Sequence, residues 1–346
     1  MGRLNLNILC YGDKDMEAIY EEIVKQYQKK KTFYTKTRLE NHPGEKTILD
    51  ESEVESLLLQ QNIKGLPKIV EENGECCFVE SIHDIPKIVI VGGGHVGLAI
   101  AKLAAFLEFD AIVIDDRAEF VSQERFPQAK RYVEDVEKAL QRDFGENVYY
   151  VIVTRGHKDD FRAVTAVLKK GYDRYLGMIG SKQKVAITMQ KLRNLGYDEE
   201  TIEKIHAPIG LKIGAITPEE IAVSIMAQII EIKSSYVGDR SQHNVFEALD
   251  QIQKGIVEEQ ACIVTIIEKA GSSPRGVGSK MLVTETGKVF GTIGGGAIEY
   301  AAQKKAAQIA VSKEAAIKSY DLSAKDASEL GMICGGQVKV LYEPIR

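Results

Sequence analysis

The clearest pattern of hydrophobic and polar positions lies in the middle of the chain, where short apolar runs alternate with stretches of helical periodicity. The runs contain few polar residues, which is typical of strands buried on both faces of a sheet. Strands are predicted at Lys87–Val91, Ala111–Ile114, Val148–Val153 and Arg174–Ile179. Helical periodicity lies between them, for example over Leu98–Phe109. Strands that alternate with helices predict a parallel sheet with right-handed crossovers, so residues 86–235 are expected to form an α/β domain.

A helix start signal marks the last element of this domain. Thr217 is suited to the N-cap position, Pro218 to the first helical position and Glu220 to the third, which together make a capping box. Apolar positions continue through Ile232, and the polar stretch 236–244 then breaks the pattern. We predict an interdomain linker over residues 236–244.

The two ends of the chain have different patterns. Residues 245–346 combine helices with short strands, which predicts a smaller α+β domain. Its predicted elements are helices at Val245–Ile252 and Ala297–Val311 and strands at Ala261–Ile267, Lys280–Thr284, Lys288–Ile293, Ile317–Tyr320 and Gln337–Tyr342. Residues 1–85 form a segment of unclear type, in which only a helix over Asp15–Lys29 and a strand over Cys76–Val79 are predicted.

Composition narrows the classes of function. The chain has 346 residues and a formal net charge of −5, so it lacks the basic surplus of a nucleic-acid-binding protein. Its longest apolar run, Val148–Val153, is far shorter than the ~20 residues of a membrane helix. No signal-peptide pattern opens the sequence, and the five cysteines form no Cys-x-x-Cys pair. We therefore expect a cytoplasmic protein with neither a zinc ribbon nor a disulfide framework.

A glycine fingerprint follows the first strand of the α/β domain. Gly92, Gly94 and Gly97 have the Gly-x-Gly-x-x-Gly spacing between a strand and a helix, and Asp115 and Asp116 follow about 20 residues later. The glycines permit a tight turn, close approach to a pyrophosphate and close helix–strand packing, while the acid suits a ribose hydroxyl. This context indicates a Rossmann-like domain that binds NAD(P) or another nucleotide. Because Arg117 adjoins the two acids, the choice between NAD and NADP stays open.

Two histidines follow predicted strands of the same sheet. His95 lies within the fingerprint, and His157 follows the strand Val148–Val153. If that strand is the fourth of the sheet, both residues face the crevice where the strand order reverses and ligands bind. They are either ordinary loop residues or groups that ligate a metal, transfer protons or bind an anion. Ser181 and Lys182 follow the next strand and form either another anion site or an ordinary turn.

Three glycine loops in the C-terminal domain are candidates for ligand binding. Ser272, Ser273 and Arg275 combine hydroxyls with a guanidinium, which suits a phosphate, although a flexible surface loop is the alternative. A second possible anion-binding turn contains Gly294, Gly295, Gly296 and Glu299. In the third loop Cys334 precedes two glycines, where it is either a small apolar residue or a reactive thiol.

Taken together, these motifs resemble the XdhC/CoxI family of accessory factors for xanthine dehydrogenase and related molybdenum hydroxylases. The resemblance covers about residues 75–346. It rests on Gly92–Gly97, Asp115–Arg117, Arg125–Pro127, Thr154–His157, Gly177–Lys182, His206–Leu211, Pro218–Ala222, Gly271–Arg275, Gly294–Gly296, Glu299 and Cys334–Gly336. Three features depart from the family pattern: the Gly-Ser-Ser-Pro-Arg domain follows the Rossmann domain, Lys212 stands where Asp is common, and Gln228 stands where Glu is usual.

The resemblance implies binding and protection of molybdenum cofactor, help with adding its terminal sulfur ligand, and delivery to an apo-hydroxylase. The implied partners are that hydroxylase and a cysteine desulfurase as sulfur donor, and a homodimer is left open. Cys334, His95 and His157 are the candidate chemical residues. An NAD(P)-dependent oxidoreductase that uses the Rossmann domain is the alternative, and a regulatory nucleotide sensor is a third possibility.

Overall fold

A computed structural model of the chain describes residues 15–29, 31–63, 65–83, 85–235, 243–271, 275–321 and 336–345. These residues divide into two compact units. The α/β unit lies within Asp84–Tyr236, and the α+β unit combines residues from Met1–His83 with residues from Val237–Arg346. In the described parts of the chain, no helix is long and apolar enough to cross a membrane.

The segment of unclear type before residue 86 contributes an antiparallel sheet to the α+β unit. Its elements are α1 (Asp15–Gln28), β1 (Phe33–Arg38), β2 (Lys46–Leu49), α2 (Glu51–Gln60), β3 (Lys68–Glu72) and β4 (Glu75–Ile82). The strand order in the described residues is β2-β1-β4-β3. The helix predicted from residue 15 and the strand predicted at Cys76–Val79 are confirmed. Strand β1 was not predicted, because its buried face includes Thr35 and Thr37, which no hydrophobic pattern detects.

The α/β unit contains a parallel sheet flanked by helices. Its elements are β5 (Lys87–Val91), α3 (His95–Phe106), β6 (Asp110–Asp115), β7 (Lys130–Val133), α4 (Val136–Leu140), β8 (Val148–Ile152), α5 (His157–Lys170), β9 (Tyr175–Met178), α6 (Lys182–Asn194), α7 (Glu199–Glu203) and α8 (Pro218–Ser235). The strand order is β7-β6-β5-β8-β9, and all of these pairs are parallel. The predicted Rossmann-like architecture is therefore confirmed. The unpredicted strand β7 is short and lies at the sheet edge with no fully buried residue.

The strand order places the switch point between β5 and β8. These strands are adjacent, with Val91 beside Ile152, as the sequence analysis required. Alternate residues of the sheet enter two separate cores: α3 and α8 pack on one face, and α4, α5 and α6 pack on the other. The loops after β5 and β8 thus lead to helices on opposite faces, which opens a crevice at the carboxyl ends of these strands.

The C-terminal part of the α+β unit forms a second antiparallel sheet. Its elements are α9 (His243–Gln253), β10 (Ala261–Ala270), β11 (Lys280–Thr284), β12 (Val289–Gly291), α10 (Gly296–Ser312), β13 (Ala316–Asp321) and β14 (Gln337–Ile345). The strand order in the described residues is β12-β11-β10-β14-β13. The predicted smaller α+β arrangement is confirmed. Most of the predicted linker, residues 236–242, lies outside the described residues, and α9 already begins at His243.

The two sheets of the α+β unit are joined by a common core and by buried ion pairs. Residues of α1 and β4 share a hydrophobic cluster with residues of α9, β10 and β14. Glu80 of β4 pairs with Lys280 of β11 at 2.7 Å, and Lys46 of β2 pairs with Glu343 of β14 at 2.9 Å. All four charged residues are buried. These contacts explain why residues before position 84 belong to the same compact unit as the C-terminal strands, although the sequence analysis treated them as a separate segment.

Candidate functional site

Three glycines of the fingerprint are required by the packing of the backbone. A Cβ atom at Gly92 would lie 2.3 Å from the carbonyl oxygen of Val153, and one at Gly97 would lie 2.0 Å from the carbonyl oxygen of Gly92. Gly92 also has a φ of +121°, which residues with side chains rarely adopt. A Cβ atom at Gly93 would lie 2.3 Å from the carbonyl oxygen of Phe120. The fold by itself explains these three glycines.

Gly94 is different, because nothing lies within 4 Å of a Cβ atom built on it. It is the N-cap residue of α3, and its φ is −65°. No side-chain hydrogen bond of the N-cap residue caps the first backbone amides of this helix. The first amides of a helix have no intrahelical partner, and the helix dipole favours an anion at this end. The open space above Gly94 therefore fits a phosphate-bearing ligand in contact with the backbone.

The carboxylate of Asp115, at the end of β6, is enclosed by hydrogen-bond donors. The backbone N–H groups of Gly93 and Arg117 donate to it at 2.9 Å and 3.1 Å. The Arg117 guanidinium donates twice more, from Nε to Oδ1 and from Nη2 to Oδ2, both at 2.9 Å. Burial by itself raises the pKa of Asp115, but these hydrogen bonds outweigh burial and hold the pKa below its ordinary value. Asp115 is thus an ionised group that fixes the fingerprint loop to the end of β6.

Charged side chains line the crevice at the carboxyl ends of β6 and β8. Asp116 accepts a hydrogen bond from Arg155 at 3.2 Å, and Arg155 also lies 3.9 Å from Asp159. Arg162 pairs with Asp159 at 3.5 Å and with Asp135 at 2.8 Å. The complete lining is Gly92, Ile114, Asp115, Asp116, Arg117, Asp135, Val136, Thr154, Arg155, Asp159 and Arg162. Because exposed ion pairs contribute at most about 1 kcal/mol each, these side chains can rearrange around a charged ligand.

The two histidines of the predicted crevice are the first residues of their helices. His95 begins α3 and is exposed, whereas His157 begins α5 and is half-buried. Nδ1 of His157 lies 3.4 Å from Oγ1 of Thr188 in α6, and its Nε2 is buried without a hydrogen-bond partner. In the described residues, no group of three or more His, Cys, Asp or Glu side chains is arranged to hold a metal ion. A shared role of the two histidines stays a prediction. The hydrogen-bond contact described for His157 is with Thr188 of α6.

At the next strand end, Ser181 caps its own helix. Its Oγ accepts a hydrogen bond from the backbone N–H of Lys184 at 3.3 Å, and Lys182 is exposed. The ammonium group of Lys184 pairs with the completely buried carboxylate of Asp160, which also accepts a hydrogen bond from Oγ1 of Thr154 at 2.6 Å. Sequence reasoning missed this pair, because only the folded sheet brings the starts of α5 and α6 together. Its one local signal was the polar stretch from Thr154 to Asp160 after a buried strand.

In the α+β unit, the turn predicted to bind an anion already holds a carboxylate. Oε2 of Glu299 accepts hydrogen bonds from the backbone N–H groups of Ile293, Gly294 and Gly295 at 3.0, 3.1 and 2.9 Å. The hydroxyl of Thr292 donates to the same oxygen. The amides of this possible anion-binding turn are therefore occupied by a side chain from the adjoining helix. Glu299 thus has a local structural role that the residue types of the loop do not indicate by themselves.

Replacing Glu299 with alanine should lower the free energy of unfolding of the α+β unit by about 2 kcal/mol, because the loop amides lose a charged acceptor. Burial raises the pKa of Glu299, but the hydrogen bonds from Thr292 and the amides outweigh it and bring the pKa below 4.5. The stabilisation is thus complete above pH 4.5 and is lost as the pH falls through the folded-state pKa. Urea denaturation at neutral and at acidic pH measures both effects.

Gln303→Ala is the matched control for this experiment, because Gln303 lies one turn further along α10 and only approaches Oε1 of Glu299, at 3.5 Å. We expect it to cost less than about 0.5 kcal/mol. Equal losses for the two variants would show that the carboxylate does not hold the loop.

The remaining candidates of the C-terminal loops are Ser272, Ser273 and Cys334, which lie outside the described residues, and Arg275, which is exposed. Their roles stay predictions. Cys262 lies inside β10 and is completely buried, and burial raises the pKa of its thiol. A buried thiol with a raised pKa is a poor nucleophile, so Cys262 is a packing residue.

Two family models match the chain. Residues 88–229 match the XdhC Rossmann domain, and residues 257–321 match the XdhC and CoxI family. The first match covers the α/β unit from β5 into α8, and the second runs from the loop before β10 to the end of β13. Along this chain, the Rossmann match precedes the other one.

Relatives match about half of the chain. It is 35% identical over 162 residues to the uncharacterized protein YqeB of Escherichia coli strain K12, which covers 46% of this chain and 29% of that protein. It is 27% identical over 158 residues to a probable xanthine dehydrogenase subunit of Bacillus subtilis strain 168, which covers 45% of this chain and 46% of that protein. The chain therefore spans less than half the length of either curated relative.

A solved structure has a similar fold. A crystal structure of a xanthine dehydrogenase from Bacillus halodurans matches with a TM-score of 0.50 at 22% sequence identity, covering 61% of this chain and 65% of that one. At this level of identity, the likeness shows the fold alone.

Proposed function

Because this chain belongs to the XdhC and CoxI family, we propose that it is an accessory factor for a molybdenum hydroxylase of the xanthine dehydrogenase type. In this role it binds molybdenum cofactor, assists the addition of the terminal sulfur ligand from a cysteine desulfurase, and delivers the cofactor to the apo-hydroxylase. The match to a probable xanthine dehydrogenase subunit of Bacillus subtilis supports this choice of client. When bound, the cofactor supplies the metal centre that the hydroxylase uses.

The structural observation that carries a ligand-binding role is the open space above Gly94. Packing explains the glycines at positions 92, 93 and 97, but it does not explain the absence of a side chain at position 94. A phosphate placed on the first amides of α3 would explain it. We therefore propose that the crevice of the α/β unit also binds a phosphate-bearing ligand of the nucleotide type.

Binding of the molybdenum cofactor itself is proposed for the glycine loops of the other unit. The turn closed by Glu299 does not fit this task, because its amides are already satisfied. Ser272, Ser273 and Arg275 are the candidates for holding the pterin phosphate, since hydroxyls and a guanidinium suit a phosphate. Cys334 is the candidate for sulfur handling: a thiolate suits molybdenum, and the two glycines that follow it leave room for a bulky ligand.

Replacing Cys334 with serine should lower activation of an apo-hydroxylase at least about tenfold while the protein stays folded, because a hydroxyl is neither a soft ligand nor a sulfur acceptor. The measurement is hydroxylase activity after incubation with molybdenum cofactor, a cysteine desulfurase and each variant. Cys262→Ser is the matched control, since Cys262 is buried in β10 and should affect stability only. Full activation by Cys334→Ser would remove this thiol from the mechanism.

A co-elution experiment separates the accessory role from an NAD(P)-dependent oxidoreductase. The purified chain is mixed with molybdenum cofactor or with NAD(P)H, and each mixture is passed through a size-exclusion column. An accessory factor retains the cofactor and activates the apo-hydroxylase. An oxidoreductase would instead oxidise NAD(P)H with an acceptor substrate and would retain no cofactor, and that result would contradict the proposal.

A further inference from the structure

All the acceptor sites of the Asp115 carboxylate are in use. Oδ1 accepts from the backbone N and from Nε of Arg117, and Oδ2 accepts from the backbone N of Gly93 and from Nη2 of Arg117. An ionised carboxylate has about four lone-pair sites. In Rossmann domains that bind NAD, the acidic residue at this position accepts hydrogen bonds from the ribose hydroxyls. Asp115 has no site left for them while Arg117 is in place.

The guanidinium group of Arg117, which pairs with this carboxylate, and that of Arg125 share one aromatic ring. Cζ of Arg117 is 3.7 Å from the centre of the Phe120 ring, and Cζ of Arg125 is 5.5 Å from it. Nη2 of Arg125 also donates a hydrogen bond to the carbonyl oxygen of Gly93 at 2.9 Å. Arg117 thus lines the crevice at the side where a Rossmann domain binds ribose, and Arg125 is held at the fingerprint loop, whose first residue Gly92 lines the same crevice.

The positive charge of Arg125 is not balanced by a carboxylate of the described residues. Arg117 balances Asp115, and Asp116 is engaged by Arg155 at 3.2 Å. Arg125 forms no ion pair within the part of the chain that the structure describes, and its Nε is buried without a hydrogen-bond partner. A guanidinium with unused donors and no carboxylate partner is suited to a phosphate, which it can bind through two parallel hydrogen bonds.

We propose that the crevice of the α/β unit binds a nucleotide whose ribose carries a phosphate monoester, the chemical class of NADP, in preference to one with free ribose hydroxyls. Arg117 and Arg125 bind the phosphate on the ribose. The first backbone amides of α3, next to Gly94, bind the 5′-phosphate. Arg117 is the specificity residue, because its removal frees Asp115 to accept ribose hydroxyls. This inference rests on the phosphate-bearing ligand of the proposed function and names its class.

The test compares the affinities of 2′,5′-ADP and 5′-AMP by calorimetry at constant ionic strength, with NADP⁺ and NAD⁺ as a second pair. We expect the 2′-phosphorylated ligand to bind at least about tenfold more tightly, since it gains charge-assisted hydrogen bonds to two arginines. This preference should weaken below about pH 6, where the 2′-phosphate takes up a proton and its charge falls from two negative charges to one.

Two variants should change the affinities for 2′,5′-ADP and 5′-AMP in different ways. Arg125→Met should weaken 2′,5′-ADP about tenfold and leave 5′-AMP unchanged, because Asp115 stays saturated. Arg117→Met should weaken 2′,5′-ADP and strengthen 5′-AMP, because Asp115 then accepts the ribose hydroxyls. Arg193→Met is the matched control: Arg193 lies in α6, pairs with Glu199 and is not among the residues that line the crevice. Thermal unfolding checks that each variant is folded.

Equal affinities of the wild type for 2′,5′-ADP and 5′-AMP, or an unchanged ratio in Arg125→Met, would overturn the inference. A finding that none of the four nucleotides binds would also overturn it. If the chain nevertheless activates the apo-hydroxylase, the accessory role survives and only the ligand class is wrong. If the ratio is as expected but no activation occurs, the ligand class stands and the accessory role fails.

Discussion

Replacing Lys280 with methionine should lower the free energy of unfolding of the α+β unit by about 3–5 kcal/mol, because it leaves a buried carboxylate without its cation. Lys280 is 5% exposed, and its Nζ lies 2.7 Å from Oε1 of Glu80 and 2.9 Å from Oγ1 of Thr265. Methionine fills a similar volume but donates no hydrogen bond. Glu80, itself 3% exposed, then keeps, among the hydrogen bonds of the described residues, the weak contact from Thr35 at 3.4 Å. Chemical denaturation measures the loss.

The matched control is Lys288→Met in the same hairpin. Lys288 pairs with Glu259, but its side chain is 61% exposed, so the change should cost less than about 1 kcal/mol. The double variant Lys280→Met/Glu80→Leu should recover much of the stability lost by Lys280→Met, because no buried charge remains unpaired. If Lys280→Met and Lys288→Met unfold at the same denaturant concentration, the Lys280–Glu80 pair does not join the two sheets.

Replacing Gly97 with alanine should destabilise the α/β unit by about 3 kcal/mol, at the upper end of the usual cost of overpacking. The added Cβ atom would lie 2.0 Å from the carbonyl oxygen of Gly92 and 3.3 Å from Cγ2 of Ile90. The first of these atoms belongs to the backbone and cannot rotate away. To relieve the clash, α3 must move away from β5, and Ile90 belongs to the core that α3 and α8 cover. Urea denaturation of the variant measures the cost.

Gly94→Ala is the matched comparison, because nothing lies within 4 Å of its added Cβ atom. Its stability should fall by less than about 1 kcal/mol, the range of N-cap substitutions. A larger side chain in Gly94→Leu should leave the unit folded and weaken binding of 2′,5′-ADP at least about tenfold, because the phosphate can no longer reach the backbone. Wild-type nucleotide affinity in a folded Gly94→Leu protein would contradict the phosphate site.

Most of the α/β unit was predictable because its strands are buried on both faces. Residues 87–91 are completely enclosed, so the strand appears in the sequence as an apolar run that needs no periodicity to be recognised. The edge strand β7, with sequence Lys-Arg-Tyr-Val, lacks such a run and was missed. The N-terminal sheet was missed for a related reason: its buried positions include the polar residues Thr35, Thr37, Lys46 and Glu80. Their partners lie on neighbouring strands or in the second sheet, far away along the chain.

By itself, the sequence determined the α/β class of residues 86–235, the α+β class of residues 245–346, the fingerprint and the family, because these depend on residue types at fixed spacings within short segments. It could not determine which fingerprint glycine is free to accept a ligand, since that depends on Val153 and Phe120, which approach the loop only in the folded unit. Nor could it show that Arg117 saturates Asp115 or that Glu299 fills its own loop. Those outcomes are decided by side-chain directions and distances of a few ångströms. The tertiary structure sets both, because packing selects one rotamer among several that the local sequence allows.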